Sequence, residues 1–552
     1  MTAAHEHSNA EVRKEDDPHL EQRPMAHSGS PKRTSPTWLN VHSFAMGCLF
    51  ALPGLFVVVR AVQLSSDPVA TISDSLGPLG RTILLASSVT ASASALGTVL
   101  AWLVTKSDLR GRAAWRVLLV LPLVLPSFVG AAAFLTSLAP GGLLHELLGV
   151  FDVESPRLRG FWPAWTLLTL FTYPYVMLPV SARLLTLRPA LEESARLLGS
   201  SGSRAFLKIT LPQLQSSLFA SGLLVFLYVV SEFGAVQLLG YDTLTRVIFA
   251  TRLADRATSF TSSTLLIALA VLVVGLERRA RRFDRPDDRV RLRTREVTTL
   301  GRRQPISLLL VATVTFLGLI APVASLAVWA VRGIADQRID LSELVRPAAN
   351  TVATGVATSV LAVALVIPIA VLLVRYRSAT ARVASIAVVG GFAVPGVVIA
   401  LSLVFWTLNT PGLNRLYQTW PLLVLAYIVH FGSQALGAAE GAVRSVPAAL
   451  RESSQLLESS KSRRLLRVDF PLMRPGLASG GGLVLLSTLK ELPATLLLAP
   501  IGFETLATEI WGSFEDGFYA EVGVASLVLV ASSAFLTWLL VLRPTDRPQS
   551  SA

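Results

Sequence analysis

The chain has 552 residues, of which 52% are apolar and only 15% are charged. Ordinary soluble proteins carry roughly a quarter charged residues. Here the charge deficit is concentrated in a dozen stretches of about 20 residues, the length that a helix needs to cross a bilayer core. This pattern excludes a soluble protein and predicts an all-α integral membrane protein. The net charge of +13 does not indicate nucleic-acid binding, because the basic residues lie between the apolar stretches, where they orient helices in the membrane.

Twelve transmembrane helices are predicted, in two sets of six that a strongly basic segment separates. The first set covers residues 43–65, 80–105, 113–138, 162–187, 214–239 and 258–276, and the second covers 305–331, 348–374, 380–407, 418–444, 475–499 and 519–542. The chain is divided accordingly into a disordered cytoplasmic tail (1–42), a first repeat (43–276), a basic cytoplasmic linker (277–304), a second repeat (305–542) and a C-terminal cytoplasmic tail (543–552). Boundaries of this kind are accurate to a few residues.

The loops between the predicted spans differ in charge, which predicts the orientation of the chain. Lysine and arginine are concentrated in every second loop and in the linker, for example at Lys106, Arg110 and Arg112. The opposite loops, including 141–160 and 502–520, are poorer in basic residues or balanced by acids. Cytoplasmic loops of membrane proteins carry an excess of lysine and arginine. With an even number of spans, we therefore expect a protein of the inner (plasma) membrane with both termini in the cytoplasm.

The two sets of spans repeat one sequence pattern. Thr82 and Pro126 correspond to Thr351 and Pro395 at one constant offset. Further equivalent positions are Leu191, Glu193 and Ser194 with Leu450, Glu452 and Ser453, then Pro212 with Pro471, Glu232 with Glu491, and 242–244 with 504–506. Both halves contain the same even number of spans, so the copies are parallel and related by an axis along the membrane normal. Such an arrangement predicts a transport pathway where the halves meet.

A polar loop between the fourth and fifth spans of each half carries the most specific motif. It runs from Leu191 to Pro212 in the first half and from Leu450 to Pro471 in the second, and these segments are called the coupling loops below. In each loop, apolar or small residues recur at the spacing of one helix face, which predicts a short helix along the membrane surface. An interfacial helix without a partner is the alternative interpretation.

The coupling loops resemble the cytoplasmic loops of ABC importer permeases, whose pattern is E-A-A-x3-G-x9-I-x-L-P. The matching positions are Glu193, Ser194, Ala195, Gly199, Leu211 and Pro212 in the first half, and Glu452, Ser453, Ser454, Glu458 and Pro471 in the second. The resemblance covers about 43–542 and implies the permease fold of type I ABC importers. It also implies that each loop docks on an ATP-binding subunit, with Glu193 and Glu452 as the docking acids and Gly199 at the turn between two helices.

The second coupling loop departs from this pattern. Glu458 occupies the glycine position, and Ser453 and Ser454 replace the paired alanines. A left-handed turn at a residue other than glycine costs on the order of 1 kcal/mol, so we expect a differently shaped turn there. The two docking sites are therefore not predicted to be equivalent.

The chain contains no GxxxxGK[ST] phosphate-binding motif, so it is not predicted to bind ATP itself. The resemblance implies instead that ATP and Mg²⁺ are bound by two copies of a separate ATPase subunit. It also implies that an extracytoplasmic binding protein delivers the substrate. The chain is then a permease rather than an enzyme, with no catalytic residue, no cofactor of its own, membrane lipid around it and no nucleic-acid partner.

Two segments bear on the identity of the substrate. Residues 231–249 and 490–511 resemble permeases of the ferric-iron importers, a group in which two halves are commonly fused on one chain. Related permeases carry thiamine, phosphonates, polyamines or sulfate and share much of this pattern. Ferric iron is the preferred prediction, and these other substrates are its alternatives.

Glu232 and Glu491 are candidates for the substrate pathway, because acids within a membrane are costly and usually functional. Glu232 lies twenty residues after Pro212, about 30 Å along a straight helix, so both acids are expected near the outer face. Two carboxylates there would suit a hard cation. Alternatively, both acids lie in interfacial water, or Glu491 pairs with a basic residue of another helix. His430 has no partner histidine at ligand spacing and is expected to have a packing role.

Two other classes of membrane protein are alternatives to an ABC permease. A secondary transporter of twelve helices also has parallel halves and a basic central linker, but it is expected to carry several buried ion-coupling charges, and these spans contain few. A scaffold without transport activity does not account for two matched cytoplasmic loops. The matched loops therefore favour a permease that is driven by an ATPase on another polypeptide.

Overall fold

The computed structural model describes residues 35–64, 67–187, 194–195, 197–281, 297–336, 340–457, 460–537 and 539. Within these ranges the chain is helical, and its one β contact is a parallel bridge between Ser107 and Thr298. Long apolar segments favour helices in a membrane, because a helix pairs its own backbone N–H and C=O groups where no water is present. Most of the predicted linker, at 282–296, lies outside the described residues.

The first half comprises helices α1 (Thr37–Leu64), α2 (Pro68–Lys106), α3 (Arg112–Leu118), α4 (Ser127–Leu138), α5 (Leu143–Val150), α6 (Phe161–Thr186), α7 (Gly202–Ala205), α8 (Leu211–Ser231), α9 (Gly234–Leu238), α10 (Leu244–Thr251) and α11 (Arg256–Arg281). The second half comprises α12 (Gln304–Thr315), α13 (Ala321–Ala335), α14 (Val345–Val371), α15 (Ala379–Ala393), α16 (Gly396–Asn409), α17 (Trp420–Arg444), α18 (Ala448–Leu457), α19 (Lys461–Arg464), α20 (Phe470–Thr488), α21 (Pro493–Leu498), α22 (Leu506–Glu515) and α23 (Tyr519–Thr537).

The helices account for all twelve predicted spans. In the described part of the chain, nine helices are long and apolar enough to cross a membrane, and the bent pair α15–α16 brings the number to ten. The two remaining predicted spans are occupied by α6, with 26 residues, and α20, with 19 residues. The predicted all-α membrane architecture is therefore confirmed.

The third predicted span of each half is not a continuous helix, contrary to the prediction. Pro126 and Pro395 stand immediately before α4 and α16, and the preceding residues Leu125 and Val394 are extended. Proline has no N–H to donate and disfavours helical backbone at the residue before it. The chain accordingly turns at both prolines, and the bend between α15 and α16 is 108°.

The fifth predicted spans, 214–239 and 475–499, are also interrupted. Helix α8 ends at Ser231 and α20 ends at Thr488, and in each half the chain continues into a short helix, α9 or α21. These breaks were not predicted, although charged residues lie at both of them, Glu232 in the first half and Lys490 and Glu491 in the second. Buried polar contacts described below stabilise them.

The first helices of each half pack against the opposite half. Helix α1 lies along α15, and its His42 Nε2 is 2.9 Å from the carbonyl oxygen of Leu365 in α14. Helix α13 lies along α4, where the Ser325 hydroxyl donates to the Ala133 carbonyl at 3.0 Å. The two halves thus form one interlocked bundle.

The residues that define the internal repeat make equivalent hydrogen bonds in the two halves. The Thr82 hydroxyl accepts from the backbone N–H of Leu244 at 2.9 Å, and the Thr351 hydroxyl accepts from Leu506 at 2.8 Å. Each threonine satisfies an otherwise unpaired N–H at the start of α10 or α22. The repeat read from the sequence is therefore a repeat of structural contacts.

Candidate coupling loops and translocation site

The second coupling loop contains the amphipathic helix α18. Glu452 and Ser453 are exposed on it, whereas Ser454 is buried and donates to the Arg451 carbonyl at 2.8 Å. This alternation follows the helix period, with one face against the protein and one face toward solvent. Glu458, the residue at the glycine position of the motif, lies outside the described residues.

The first coupling loop is described in part. Glu193, its predicted docking acid, lies outside the described residues, whereas Ser194 is exposed and Ala195 is half-buried. Gly199 has a φ of +85°, and the N–H of Ser200 donates to the Ala195 carbonyl at 3.0 Å. A left-handed residue closes a helix in this way. The predicted turn at Gly199 is thus present.

Both coupling loops expose a pair of leucines at equivalent positions. Leu197 and Leu198 are 88% and 87% exposed, and Leu456 and Leu457 are 89% and 88% exposed. Single exposed leucines are common on protein surfaces, but a repeated exposed pair on a short polar loop is typical of a docking surface. The motif does not specify these leucines, but one of each pair, Leu198 and Leu457, belongs to the apolar helix face predicted from the sequence.

Each coupling loop leads directly into a long helix. Pro212 and Pro471 are exposed second residues of α8 and α20, Leu211 is half-buried, and wide π-helical turns precede them at Phe206–Thr210 and Leu465–Asp469. Proline is tolerated in the first turn of a helix because its missing N–H has no partner there. One helical turn therefore separates each loop from α8 or α20.

Glu232 lies at the break between α8 and α9 and stabilises it. Its side chain is buried, with 7% of the residue exposed. Carboxylate Oε1 accepts from the N–H of Ala235 at 2.9 Å, and Oε2 accepts from the Ser127 hydroxyl at 2.8 Å. The Glu232 carbonyl accepts from Thr245 at 2.6 Å. The carboxylate thus caps α9 and joins it to α4, because unpaired N–H groups at a helix start favour a negative partner.

Glu491 occupies the same position between α20 and α21, but its surroundings differ. It is 8% exposed, and its Oε1 accepts from the N–H of Ala494 at 3.1 Å. The residue equivalent to Ser127 is Gly396, where an added Cβ would lie 2.5 Å from Glu491 Oε1. A basic side chain of another helix lies close to it, since Nε2 of His430 in α17 is 3.8 Å from Oε2. Glycine therefore makes room for this carboxylate without donating to it.

The segments that follow the two acids meet where the halves join. The rings of Phe233 and Trp511 are stacked with centroids 5.8 Å apart, and a Cβ added at Gly234 would lie 3.4 Å from Leu492 Cδ2. Lys490 also crosses the interface, since its Nζ donates to the carbonyl of Leu123 in the first half at 2.7 Å. The structure therefore brings the two pathway candidates to one region between the halves.

The structure bears on two expectations about these acids. Helix α8 is continuous from Leu211 to Ser231 and Glu232 follows it directly, so the helix assumed between Pro212 and Glu232 is present. Both acids are buried in protein contacts rather than placed in interfacial water. The alternative in which Glu491 has a basic neighbour on another helix agrees with the position of His430. Among the residues that the structure describes, no three His, Cys, Asp or Glu side chains are grouped to hold a metal ion.

Comparison with known proteins identifies the chain. The family described as binding-protein-dependent transport system inner membrane component matches it twice, at 93–284 and 362–544. Each segment begins within the second predicted span of its half and contains that half's coupling loop. The chain belongs to this family. It is an inner-membrane permease and not an enzyme, and the family model matches it once in each half.

Individual relatives of this permease transport different substrates. It is 29% identical to the Fe(3+)-transport system permease protein FbpB 2 of Haemophilus influenzae over 523 residues, which are 92% of this chain and 98% of that protein. It is 27% identical to the sulfate transport system permease protein CysW of Escherichia coli over 240 residues, 42% of this chain and 81% of that protein. It is 34% identical to the maltose/maltodextrin permease protein MalF of Escherichia coli over 157 residues, 26% of this chain and 29% of that protein.

Three residues of the permease that sequence reasoning missed are Ser127, Gly396 and Leu123. Ser127 and Gly396 directly follow the repeated prolines, so aligning the halves would have revealed the difference between them. The contact of Lys490 with Leu123 had no sequence signal, because the two residues are 367 positions apart and the acceptor is a backbone carbonyl.

Proposed function

We propose that this permease imports ferric iron and that ATP hydrolysis on separate subunits drives the transport. The observation that carries the ATP coupling is the matched pair of coupling loops, each with an exposed leucine pair and each joined to a long helix by one turn. A loop that presents apolar side chains to the solvent suits a partner that covers them.

Two copies of an ATP-binding subunit dock on the two coupling loops in this proposal. ATP and Mg²⁺ are held by those subunits, and Glu193 and Glu452 are the docking acids. Closure of the subunits moves α8 and α20, which end at the buried acids between the halves. The loops and both termini lie on the cytoplasmic side, and a substrate-binding protein delivers the cargo on the opposite side.

Ferric iron is supported by two independent observations. The relative named for Fe(3+) transport aligns along both halves, whereas the sulfate permease aligns with fewer than half of the residues. In addition, the region between the halves contains two buried carboxylates, at Glu232 and Glu491. Carboxylate oxygens suit a hard cation and repel an oxyanion such as sulfate or a phosphonate. Thiamine and polyamines, which are cationic, are the substrates that the same carboxylates also suit.

Uptake into proteoliposomes tests both parts of this function. Vesicles contain the permease, its ATP-binding subunit and its binding protein, and radiolabelled ferric iron is supplied outside. The E193A/E452A double variant is compared with wild type and with Glu440→Ala, an acid at the cytoplasmic end of α17 whose partner is Arg444. We expect ATP-dependent uptake in wild type and in the control, and its loss in the double variant.

The outcomes separate the coupling from the cargo. If the binding protein stimulates ATP hydrolysis but no iron is taken up, ferric iron is not the substrate, and thiamine or a polyamine is favoured instead. Uptake that persists in the double variant would contradict the assignment of the docking acids.

A further inference from the structure

A buried ion pair ties the second coupling loop to a neighbouring transmembrane helix. Arg375 Nη1 donates to Asp469 Oδ2 at 3.1 Å, and the two side chains are 17% and 5% exposed. Asp469 is the last residue of the wide turn between the coupling loop and α20. Arg375 lies in a second wide turn, Leu372–Tyr376, which continues α14.

The ion pair joins two helix segments of unusual geometry. Wide turns of this type are rare and occur frequently at functional sites, and here one ion pair joins two of them. Further buried atoms of the pair, Asp469 Oδ1 and Arg375 Nε and Nη2, have no hydrogen-bond partner among the described residues. Burying two charges is costly, and the cost is offset only by their mutual attraction and by hydrogen bonds. Such a pair is weak evidence for stability, and its place between two wide turns indicates that it fixes one turn relative to the other.

The first half lacks this ion pair. Lys106 and Arg375 each lie 24 residues after the repeated threonines, and Thr210 and Asp469 each lie two residues before the repeated prolines. Threonine has no charge to pair with Lys106.

The helix end at Lys106 is bound instead by the end of the linker. The N–H of Thr298 donates to the Lys106 carbonyl at 2.8 Å, and the N–H of Leu300 donates to Asp108 Oδ1 at 2.8 Å. The end of α2 is thus anchored to the linker, whereas the end of α14 is anchored to its own coupling loop.

We propose that Arg375 and Asp469 are positioning residues that orient the second coupling loop toward its ATP-binding subunit. The inference rests on the proposed function, because it requires such a subunit. The pair fixes the base of the loop, and the exposed face with Glu452 and the leucine pair extends from that base. The first coupling loop, which has the motif glycine Gly199, is oriented without such a pair.

Accessibility of one reporter residue in each loop tests this difference. Ser194 and Ser453 are equivalent and exposed, so each is changed to cysteine in turn in a Cys48→Ser background, since Cys48 is itself exposed. The full-length permease in lipid nanodiscs is mixed with the ATP-binding subunit, and the rate of maleimide labelling is measured. A bound subunit slows labelling, and the factor of slowing reports docking at each loop separately.

We expect Asp469→Asn to lower the protection at position 453 by about fivefold or more, the low end of usual coupling between sites, with protection at position 194 unchanged. Arg375→Lys, which keeps the charge, is expected to retain more protection at position 453 than Arg375→Gln. The control Glu440→Gln removes an exposed ion pair at the end of α17 and is expected to change neither value.

Other outcomes overturn the inference in distinguishable ways. Unchanged protection at 453, or equal loss at both positions, would show that the pair has only a structural role. If Asp469→Asn does not yield folded permease, the double variant R375Q/D469N removes both charges, leaves no unpaired buried charge and is read in the same way. Absence of protection at both positions in wild type would contradict the proposed function, and this inference with it.

Discussion

The two halves of this permease share their backbone scaffold and differ in the polar groups placed on it. Thr82 and Thr351 make the same capping bonds, and both halves break their third and fifth spans at the same positions. Around the buried acids, however, Ser127 in the first half is replaced by Gly396 in the second. Duplicated halves can therefore keep one fold while their shared interface becomes chemically asymmetric.

The packing of the halves shows the same divergence. In the first half, Gly97 on α2 allows close approach to Tyr173 on α6, where an added Cβ would lie 2.8 Å from the Tyr173 carbonyl oxygen. The equivalent residues of the second half are Val366 and Gly432. There the second span carries valine, and Gly432 on the fourth span makes room for the ring of Phe50, which belongs to α1 of the first half. The glycines of the two halves therefore admit different partners.

The largest effect is expected when Gly97 of the first half is replaced by valine, the residue at the equivalent position of the second half, Val366. Gly97→Val would push α2 and α6 apart, because the new side chain would meet backbone atoms of α6. Overpacking of this kind costs about 3 kcal/mol of unfolding free energy. Thermal unfolding in lipid nanodiscs measures the change. Gly54→Val in α1 is the control, because nothing lies within 4 Å of its added Cβ. Equal stability of the two variants would contradict the close approach of α2 and α6.

Removal of the buried carboxylates is expected to affect the halves unequally. Glu232→Ala leaves both the Ser127 hydroxyl and the Ala235 N–H without their acceptor, whereas Glu491→Ala leaves one N–H donor. We expect losses of about 2 and about 1 kcal/mol respectively, because buried donors without partners are costly. The same thermal assay compares the two variants, and a larger loss for Glu491→Ala would reverse the comparison.

Neutralising both acids tests the pathway with less disturbance of the fold. Glutamine keeps an acceptor oxygen for each capping bond but removes the charge, so E232Q/E491Q is expected to assemble normally. We expect ferric-iron uptake to fall about tenfold, equivalent to about 1.4 kcal/mol in the barrier. Uptake at the wild-type rate, with normal co-purification of the ATP-binding subunit, would remove the acids from the pathway.

The smallest effect is expected to be equal in both halves. Thr82→Val and Thr351→Val each remove one buried hydrogen bond to the start of α10 or α22. Each substitution is expected to cost about 1 kcal/mol, measured as the shift in thermal midpoint. Unequal shifts would indicate that the same hydrogen bond contributes differently to the stability of the two halves.

The positions of the helices and of the coupling loops were predictable because both signals are local. Hydropathy over about 20 residues locates a span, and the motif around Gly199 predicts its left-handed turn. The breaks after Ser231 and Thr488 were not predictable in the same way. The break at Glu232 depends on Ser127, which is 105 residues away, so no window along the chain contains both.

Composition, hydropathy and the repeat were thus sufficient to establish a duplicated all-α membrane protein, because each of these properties is summed over many residues and tolerates local error. Tertiary structure decided where the acids lie and which groups they contact, since those contacts join distant segments. The Arg375–Asp469 pair spans 94 residues, and Lys490 meets a carbonyl 367 residues away. Burial makes such contacts strong and specific, and burial exists only after the helices have packed.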